Sequence, residues 1–513
     1  MGKINAYNMM SIRIFALASI LISSFVASAA RFDSSRTLIV FFDGLRPDYI
    51  TPALMPNLYR FGQTASQGIA HRSIFPTVTR VNATTYSTGT YPSRHGILGN
   101  SIHFPRSGSK KVFNTGDIKD LYEADSILGG KLVNSVSMGD ILRAAGKEMV
   151  VFSSGSSGQA YLQNPSGKSR IFNTDLTIAD SVIAKLGPVP PAAKPNTLRH
   201  KWVTDALIQY GLQSGGPLVS AIWFSDPDGA AHSDGIGSPA AIQSLKSVDH
   251  EFGRILSFLK ETGNSEHYNI IISTDHGFVT HIGKESLNSF LVQKGLKKNL
   301  ISTDIILAGG AIYINAPDTT LKRKIVHALQ SSIQYGAIFT NASSNGSLSG
   351  EIPGTLAFES INWNFADRVP DILVDMNWND SINAFGYRGA SYSSGVAGHG
   401  TLSPYETNIK LLVAGPSFRK GLISNLPTSN MDIAPTVLKL HGLGIPGNMD
   451  GRPVDEFFID NKSKSKARVK KEVVKTSNVV GDTTYTLQLQ RSLYKGRVYI
   501  DYAEVTREST RYK

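Results

Sequence analysis

The chain has 513 residues, of which 41% are hydrophobic and 18% are charged, a composition that is ordinary for a globular protein and excludes global disorder. The length suits one large α/β domain with insertions, or several smaller domains. The chain contains no cysteine, which excludes disulfides and thiolate metal ligands. The formal net charge is +12.

The first 29 residues have the pattern of a secretory signal peptide. Lys3 and Arg13 precede the apolar run IFALASILISSFVA, and a small-residue pattern, Ala27-Ser28-Ala29, follows. The apolar run is short for a membrane span. We therefore expect cleavage near Ala29, a secreted or periplasmic product, and no stable membrane span after cleavage. An uncleaved anchor is the alternative.

Buried-strand patterns alternate with helical patterns through the first half of the chain. The predicted strands are Arg36–Asp43, Glu148–Phe152, Pro217–Phe224 and Tyr268–Ser273, and the predicted helices are Met138–Ala145, Leu198–Leu212 and Ala240–Thr262. This alternation predicts an α/β fold with a mainly parallel central sheet and helices on both faces. The active site is expected along the edge where the strands end.

The second half of the chain predicts additions to this core. Residues 30–458 are interpreted as one catalytic domain, within which the looser pattern of 279–397 indicates an inserted cap lobe. Residues 459–476 are rich in lysine and predict a basic, solvated linker. Residues 477–513 alternate as β-strands do and predict a C-terminal β extension with a hairpin.

The segment Phe75–Asn100 (FPTVTRVNATTYSTGTYPSRHGILGN) combines prolines, glycines and many hydroxyls. We expect part of it to be an exposed turn and the rest a short helix. A Thr at a helix start presents its hydroxyl and its backbone N–H to an anion, which makes Thr79 the candidate nucleophile. Such threonines are also common as helix caps, and an unaided Thr hydroxyl needs a base or a metal to react.

Acids and histidines recur at the ends of the predicted strands. The set is Asp43, Asp228, His232, Asp275, His276 and His399. Each residue alone has an ordinary structural role, as a cap or as a hydrogen-bonded histidine. Together, three carboxylates and three imidazoles without a thiol suit two zinc-like ions, which can clamp the attacking and leaving oxygens of a phosphoryl transfer.

The order and spacing of these residues resemble the nucleotide pyrophosphatase/phosphodiesterase branch of the alkaline phosphatase superfamily. The matched positions are Asp43 after the first strand, Thr79 in PTVT, Asn100 ending HGILGN, Asp228 with His232 four residues later, Asp275-His276, and His399. The resemblance extends over roughly residues 36–458 and implies an alkaline phosphatase-like fold.

The resemblance also implies a cofactor and a reaction. Two zinc ions are expected, one held by Asp43, Asp275, His276 and the Thr79 oxygen, the other by Asp228, His232 and His399. Thr79 would attack in line and form a phospho-threonine, which water then hydrolyses. Asn100, with the Thr79 backbone N–H, would hold a non-bridging phosphoryl oxygen.

The residues after the nucleophile differ from the family pattern. Nucleotide pyrophosphatases usually carry an aromatic residue and then Pro-Asn, whereas this chain has Arg80-Val81-Asn82. Arg80 is a candidate substrate-binding residue, because it can pair with a phosphate or a carboxylate. The run PTVT-x-VN also resembles phosphonoacetate hydrolase, so a phosphonate or phosphomonoester hydrolase stays open as an alternative.

The expected partner is a small phosphorylated substrate, a nucleotide or another phosphodiester. A secreted binding protein that kept the scaffold without turnover is an alternative from another class. No specific nucleic-acid partner is expected, because Lys462–Lys475 contains no aromatic residue to stack on a base. The sequence does not predict the oligomeric state.

Overall fold

The structure is a computed structural model that describes residues 35–166, 169–176, 178–461 and 468–510. The predicted signal peptide, residues 1–29, lies outside the described residues, as do residues 462–467 of the predicted linker and the last three residues, 511–513. Among the helices within the described ranges, none is both long and apolar enough to cross a membrane.

A nine-stranded sheet forms the centre of the molecule. In spatial order its strands are Ile423–Ser424, Ser66–Arg72, Asn408–Ala414, Tyr268–Ser273, Arg36–Phe42, Val219–Phe224, Met149–Ser153 and Arg170–Asn173, and Thr428–Ser429 also pairs with Ser66–Arg72. The pairings are parallel except for the two that Asn408–Ala414 makes with its neighbours. The predicted α/β fold with a mainly parallel sheet is confirmed.

The central strands are buried on both faces, which explains their continuous apolar sequences. In the first strand, Ile39 and Phe41 join the hydrophobic core on one face of the sheet, and Leu38, Val40 and Phe42 join the core on the other. All five side chains are fully buried. Asp43 and Asp275 follow the carboxyl ends of two of these strands, where the apolar runs stop.

Helices cover both faces of the sheet. They are Pro56–Thr64, Thr79–Thr88, Pro92–His95, Ile118–Ile127, Met138–Ala144, Ser157–Leu162, Asp180–Leu186, Thr197–Ala206, Asp228–Asp234, Pro239–Glu261, Leu287–Gln293, Thr319–Ser331, Pro404–Thr407 and Ile433–Leu440. The long helix Pro239–Glu261 begins where the Ser238 side chain accepts a hydrogen bond from the Ala241 N–H.

The span in which we predicted a cap lobe, residues 279–397, contains two further sheets. The five-stranded sheet has the order Ile305–Ala308, Ala311–Ile314, Ile372–Met376, Tyr335–Thr340 and Leu356–Ala357; the four-stranded sheet has the order Trp378–Ile382, Arg388–Ser394, Val279–Gly283 and Ala397–Gly398. The buried side chains of the five-stranded sheet belong to the same hydrophobic cluster as one face of the central sheet. The five-stranded sheet therefore shares a hydrophobic core with the central sheet.

The C-terminal region contains the predicted hairpin and, in addition, a strand where part of the linker was predicted. Three antiparallel strands, Lys470–Val480, Thr483–Tyr494 and Arg497–Ser509, form one sheet, so the predicted linker of residues 459–476 is wrong from Lys470 onward. The first of these strands lies at the sheet edge, with an exposed Lys475 beside half-buried residues. Lysines commonly protect edge strands from pairing with other chains, and the same lysines produce the composition of a linker.

Candidate active site

Three neighbouring parallel strands deliver the three acids. Asp43 directly follows Arg36–Phe42, and Asp275 lies two residues after Tyr268–Ser273. Asp228 begins the helix that follows Val219–Phe224. Because the carboxyl ends of parallel strands meet at one edge of the sheet, these side chains converge there.

One oxygen of Asp43 and one of Asp275 are fixed by donors. Trp223 Nε1 donates to Asp43 Oδ2 at 2.9 Å, and the Gly44 N–H donates to Asp275 Oδ1 at 3.0 Å. The other oxygens, Asp43 Oδ1 and Asp275 Oδ2, are buried and make no hydrogen bond to any described residue. Gly44 has φ +70°, which favours glycine, and a Cβ there would approach Phe278 to 3.0 Å.

His276 faces these free oxygens. Its Nε2 lies 3.0 Å from Asp275 Oδ2, 3.5 Å from Asp43 Oδ1 and 3.3 Å from Thr79 Oγ1. Its Nδ1 donates to the Gly277 carbonyl at 2.9 Å. A neutral His276 therefore presents the lone pair of Nε2 to carboxylate oxygens, which are also acceptors.

A second group repeats this arrangement around Asp228. His232 Nδ1 donates to the Ala397 carbonyl at 3.0 Å, and His399 Nδ1 donates to the Thr77 carbonyl at 2.8 Å. The Nε2 atoms of His232 and His399 lie 3.2 and 3.3 Å from Asp228 Oδ2, which is buried without a hydrogen-bond partner among the described residues. Metal-binding histidines are commonly oriented through their second nitrogen in this way.

The charges of the two groups are strongly coupled. Burial and the charges of Asp275 and Asp228 raise the pKa of Asp43 well above its usual value. Burial opposes ionisation of Asp275 and Asp228 too, but the adjacent imidazoles outweigh it and lower the pKa of each. Burial would lower the pKa of His276, yet Asp275 raises it overall. Protons or metal cations must balance these facing acceptors.

Two overlapping clusters have ligand atoms within 4.8 Å of one another: Asp43, Asp275 and His276, and Asp228, His276 and His399. The first matches the expected set for one zinc. In the second, His276 stands where the prediction has His232, although His232 also reaches Asp228. The rings of His276 and His399 stack with centroids 3.4 Å apart, so the two groups are contiguous.

Thr79 is the first residue of the helix Thr79–Thr88 and is 4% exposed. Asn100 Oδ1 accepts a hydrogen bond from the Arg80 N–H at 3.2 Å, which leaves the Asn100 amide N–H groups to donate elsewhere. The exposed turn predicted in this segment is wrong. Hydroxyls such as those of Thr84 and Thr88 donate to helix carbonyls at 2.8 and 2.7 Å, which allows a hydroxyl-rich helix to be buried.

This arrangement can be compared with known proteins. The sequence model of the type I phosphodiesterase/nucleotide pyrophosphatase family matches residues 37–385. The chain belongs to this family.

Relatives of this phosphodiesterase family align over different lengths. Ectonucleotide pyrophosphatase/phosphodiesterase family member 3 of Mus musculus is 26% identical over 253 residues, 48% of this chain and 25% of that protein. The bis(5′-adenosyl)-triphosphatase ENPP4 of Pongo abelii is 24% identical over 444 residues, 85% of this chain and 84% of that protein. The chain therefore spans about a quarter of the former relative and most of the latter.

A solved structure has a similar fold. Murine ectonucleotide pyrophosphatase/phosphodiesterase 5, as an inactive Thr-to-Ala variant in complex with AMP, superposes with a TM-score of 0.56. The identity is 18%, and the alignment covers 81% of this chain and 97% of that one. This supports the alkaline phosphatase-like fold.

Arg80 occupies the position after the candidate nucleophile of this phosphodiesterase-family chain. Its Nη2 donates to Ser156 Oγ at 3.1 Å, and its buried Nε has no hydrogen-bond partner among the described residues. Gly116 makes room for the guanidinium, since a Cβ there would lie 2.5 Å from Nη2. Burial lowers the pKa of Arg80, against the opposing effect of the nearby Asp43.

Glu406 is a site residue that sequence reasoning missed. This fully buried carboxylate accepts from Thr77 Oγ1 at 3.0 Å and from the N–H groups of Gly400 and Thr401 at 2.5 and 2.6 Å. It thus joins the segment before Thr79 to the segment after His399. The sequence feature that could have identified Glu406 is the acid in GHGTLSPYE, seven residues after His399.

His281 also lies near the site and was not predicted from the sequence. Its Nδ1 donates to the Ser394 carbonyl at 3.0 Å. A Cβ on Gly398 would lie 2.5 Å from the His281 ring and 3.2 Å from the His232 ring, so a glycine is required between the two imidazoles. The spacing TDHGFVTH was visible, but its proximity to His232 depends on the tertiary fold.

Proposed function

We propose that this protein is an exported hydrolase that cleaves phosphodiester or pyrophosphate bonds through a covalent phospho-threonine on a di-zinc site. The observation that carries the proposal is the set of imidazole Nε2 atoms and carboxylate oxygens that face one another beside the Thr79 hydroxyl. Membership of the phosphodiesterase family supports the reaction class.

The residues present fit two metal ions, because Asp43, Asp228 and Asp275 each have a buried oxygen without a hydrogen-bond partner among the described residues. Asp43, Asp275, His276 and Thr79 would hold one zinc. Asp228, His232 and His399 would hold the other. Bound zinc would supply Lewis-acid stabilisation of charge on the attacking and leaving oxygens.

The chain's own residues account for the rest of the reaction. The Thr79 oxygen attacks phosphorus as the bond to the leaving oxygen breaks, and water then attacks the phospho-threonine, which restores the hydroxyl. The amide N–H of Asn100 and the backbone N–H of Thr79, at the start of its helix, hold a non-bridging phosphoryl oxygen. Positioning and charge stabilisation are the main tasks in phosphoryl transfer.

An acid-quenched turnover tests the covalent step. Enzyme mixed with the 4-nitrophenyl ester of thymidine 5′-monophosphate is quenched within milliseconds, digested and analysed by mass spectrometry. We expect the nucleotide adduct on Thr79. Dialysis against a chelator should abolish both adduct and turnover, and added zinc should restore them. Turnover without any adduct on Thr79, or turnover unaffected by chelation, contradicts the proposal.

Arg80 favours a second candidate, a phosphonate or phosphomonoester hydrolase on the same residues. The half-buried Arg80 follows Thr79 and has a buried Nε without a hydrogen-bond partner among the described residues, which suits a substrate with an additional anionic oxygen or a carboxylate. Initial rates with the nucleotide ester, 4-nitrophenyl phosphate and phosphonoacetate separate the candidates. A preference for the monoester or the phosphonate in kcat/KM would replace the first proposal with the second.

Export is part of the proposal and rests on the N-terminal sequence pattern. Expression of the full chain should yield a mature protein outside the cytoplasm with its N-terminus near Ala30. A cytoplasmic product that retains Met1 contradicts export.

A further inference from the structure

A cavity of about 350 Å³ lies between the candidate active site and the five-stranded sheet. Its lining includes Asn100 and His399 from the site, together with residues 308–311 and 373–376 from the sheet. A phosphoryl group placed beside Asn100 and His399 would therefore extend one of its substituents into this cavity. The volume is in the range of small-molecule sites.

The cavity wall is largely apolar. Phe75, Leu98, Tyr313 and Trp363 are part of the lining. The polar atoms of the two larger aromatic residues are already used, since Trp363 Nε1 donates to the Leu98 carbonyl and the Tyr313 hydroxyl donates to the Arg368 carbonyl, both at 3.0 Å. Their rings thus offer apolar surface to a bound group.

The charged groups of the wall are all acidic. Among the described residues that line the cavity there is no Lys or Arg, whereas Glu285 and Asp375 are present. Asp375 accepts from the N–H groups of Met376 and Leu402 at 2.9 and 2.8 Å. Glu285 Oε1, in contrast, is buried without a hydrogen-bond partner among the described residues. Burial raises the pKa of Asp375 well above its usual value and favours the neutral acid, so the like charge that an anionic substituent would meet is that of Glu285, with no Lys or Arg among these lining residues to balance it.

The position of His399 indicates which substituent enters. The leaving oxygen in an in-line displacement lies opposite the attacking hydroxyl. Thr79 contacts His276 in the first group, and His399 belongs to the second group around Asp228. The cavity lining includes His399 but neither Thr79 nor His276, so we assign the cavity to the side of the leaving oxygen.

Building on the proposed function, we propose that the cavity binds the alcohol expelled from a phosphodiester, that this alcohol is largely apolar and without negative charge, and that Glu285 excludes diphosphate as a leaving group. The P–O bond to the alcohol breaks as the Thr79 O–P bond forms, and the alcohol oxygen keeps the electron pair and takes a proton from water. The protein is then selective for phosphodiesters over pyrophosphates.

Two substrates with the same retained group test this selectivity. The 4-nitrophenyl ester of thymidine 5′-monophosphate expels an aromatic alcohol, whereas thymidine triphosphate expels diphosphate, and both leave thymidine 5′-monophosphate as product. We expect kcat/KM for the ester to exceed that for the triphosphate by at least about 100-fold in the zinc-loaded enzyme.

Two variants change the cavity in different ways. Glu285→Lys should lower the ester-to-triphosphate ratio by about tenfold or more, by raising triphosphate hydrolysis. Glu266→Lys makes the same charge change on an exposed residue remote from the cavity lining and should leave the ratio unchanged. Ser394→Trp, at an exposed position in the lining, should raise KM for the ester about tenfold by narrowing the cavity.

The outcomes distinguish this inference from the proposed function. Turnover of both substrates with a ratio that neither Glu285→Lys nor Ser394→Trp alters overturns the cavity assignment and leaves the phosphodiesterase proposal standing. A preference for the triphosphate in the unmodified enzyme overturns the assignment as well. Turnover of neither substrate by the zinc-loaded enzyme overturns both proposals.

Discussion

Two buried carboxylates, Asp501 and Asp275, differ in what surrounds them. Asp501 in the C-terminal sheet accepts from Arg72 Nε and Lys471 Nζ at 3.0 Å each and from Ser492 Oγ at 2.7 Å. Asp275 at the edge of the central sheet has one oxygen bound by N–H donors, and its other oxygen faces the lone pair of His276. The first carboxylate is satisfied by the fold itself, while the second has an oxygen that a proton on His276 or a bound cation must balance.

The largest expected effect is the loss of activity on substitution of Thr79, the proposed nucleophile, which lies beside the unsatisfied carboxylates at the edge of the central sheet. Thr79→Ala should lower kcat/KM for the nucleotide ester by about 1000-fold or more, because the attacking oxygen is removed. Thr79→Ser, which keeps a hydroxyl, should retain measurable turnover. Steady-state kinetics and zinc analysis of both variants provide the check. Turnover of Thr79→Ala near that of the unmodified enzyme removes Thr79 from the role of nucleophile.

The substitution Asp275→Asn tests whether this carboxylate holds a metal ion. We expect zinc content to fall and kcat/KM to drop by at least about 100-fold, because a proposed ligand is lost. In chelator, however, the variant should melt no lower than the unmodified protein, because the mutation removes negative charge that raises the pKa of Asp43. Differential scanning calorimetry with and without zinc measures both effects. A large destabilisation in chelator would make Asp275 a structural residue like Asp501.

Glu406→Gln tests the buried link between the two segments of the site. The amide keeps the shape but loses the negative charge that accepts the N–H groups of Gly400 and Thr401, so His399 should be held less firmly. We expect zinc affinity and kcat/KM to fall by about 10- to 100-fold with little change in KM. Glu456→Gln, whose partner Arg452 is remote from the site, is the matched control. Equal zinc affinity in both variants would contradict a positioning role for Glu406.

Asp501→Asn should produce the reverse pattern of Asp275→Asn. The loss of charge-assisted hydrogen bonds from Arg72 and Lys471 should reduce the free energy of unfolding by about 2 kcal/mol. The kcat of the folded protein should not change, because Asp501 lies in the C-terminal sheet and outside both candidate metal clusters. Denaturant unfolding together with activity assays checks this. A selective loss of kcat or of bound zinc would mean that Asp501, like Asp275, contributes to the active site and not only to stability.

The smallest expected effect concerns a histidine that is buried but satisfied. His95 Nδ1 accepts from the Ile97 N–H and its Nε2 pairs with Thr85 Oγ1, both at 3.1 Å. Burial lowers the pKa of His95 from its usual value of 6.5 to about 3. The folded state thus favours the neutral ring. Its contribution to stability is complete above pH 6.5 and is lost as the pH falls toward 3.

Lowering the pH from 7.5 to 5.5 should therefore cost about 1.4 kcal/mol through His95 alone. In His95→Gln, the decrease in the free energy of unfolding over this interval should be smaller by that amount. The exposed His250→Gln should show the full decrease. An identical decrease in all three proteins would mean that folding does not lower the pKa of His95.

The sequence predicted well what depends on local pattern. The strand Tyr268–Ser273 has the predicted limits, because it is an apolar run that is buried on both faces. Asp43 was placed by the same argument. The other candidate ligands, His399 among them, were collected from the same strand-end pattern. Their division between two ions came from the family resemblance, because spacing along the chain does not give distances in space.

The failures have a common cause, which is that one-dimensional patterns do not show which groups are paired in the fold. The lysines from Lys470 onward lie on an edge strand, which a count of charges does not distinguish from a linker. The hydroxyls around Thr84 are satisfied within their own helix and are therefore buried. Glu406 and His281 reach the site only through the packing of segments that are far apart in sequence.

The proposed function depends on cations that lie between the histidine Nε2 atoms and the free aspartate oxygens of the site. Anomalous scattering at the zinc absorption edge, recorded from crystals of protein purified without chelator, tests it most directly. We expect two peaks, one against Asp43, Asp275 and His276 and one against Asp228, His232 and His399. Fully active protein whose crystals have no peak at these residues would contradict it.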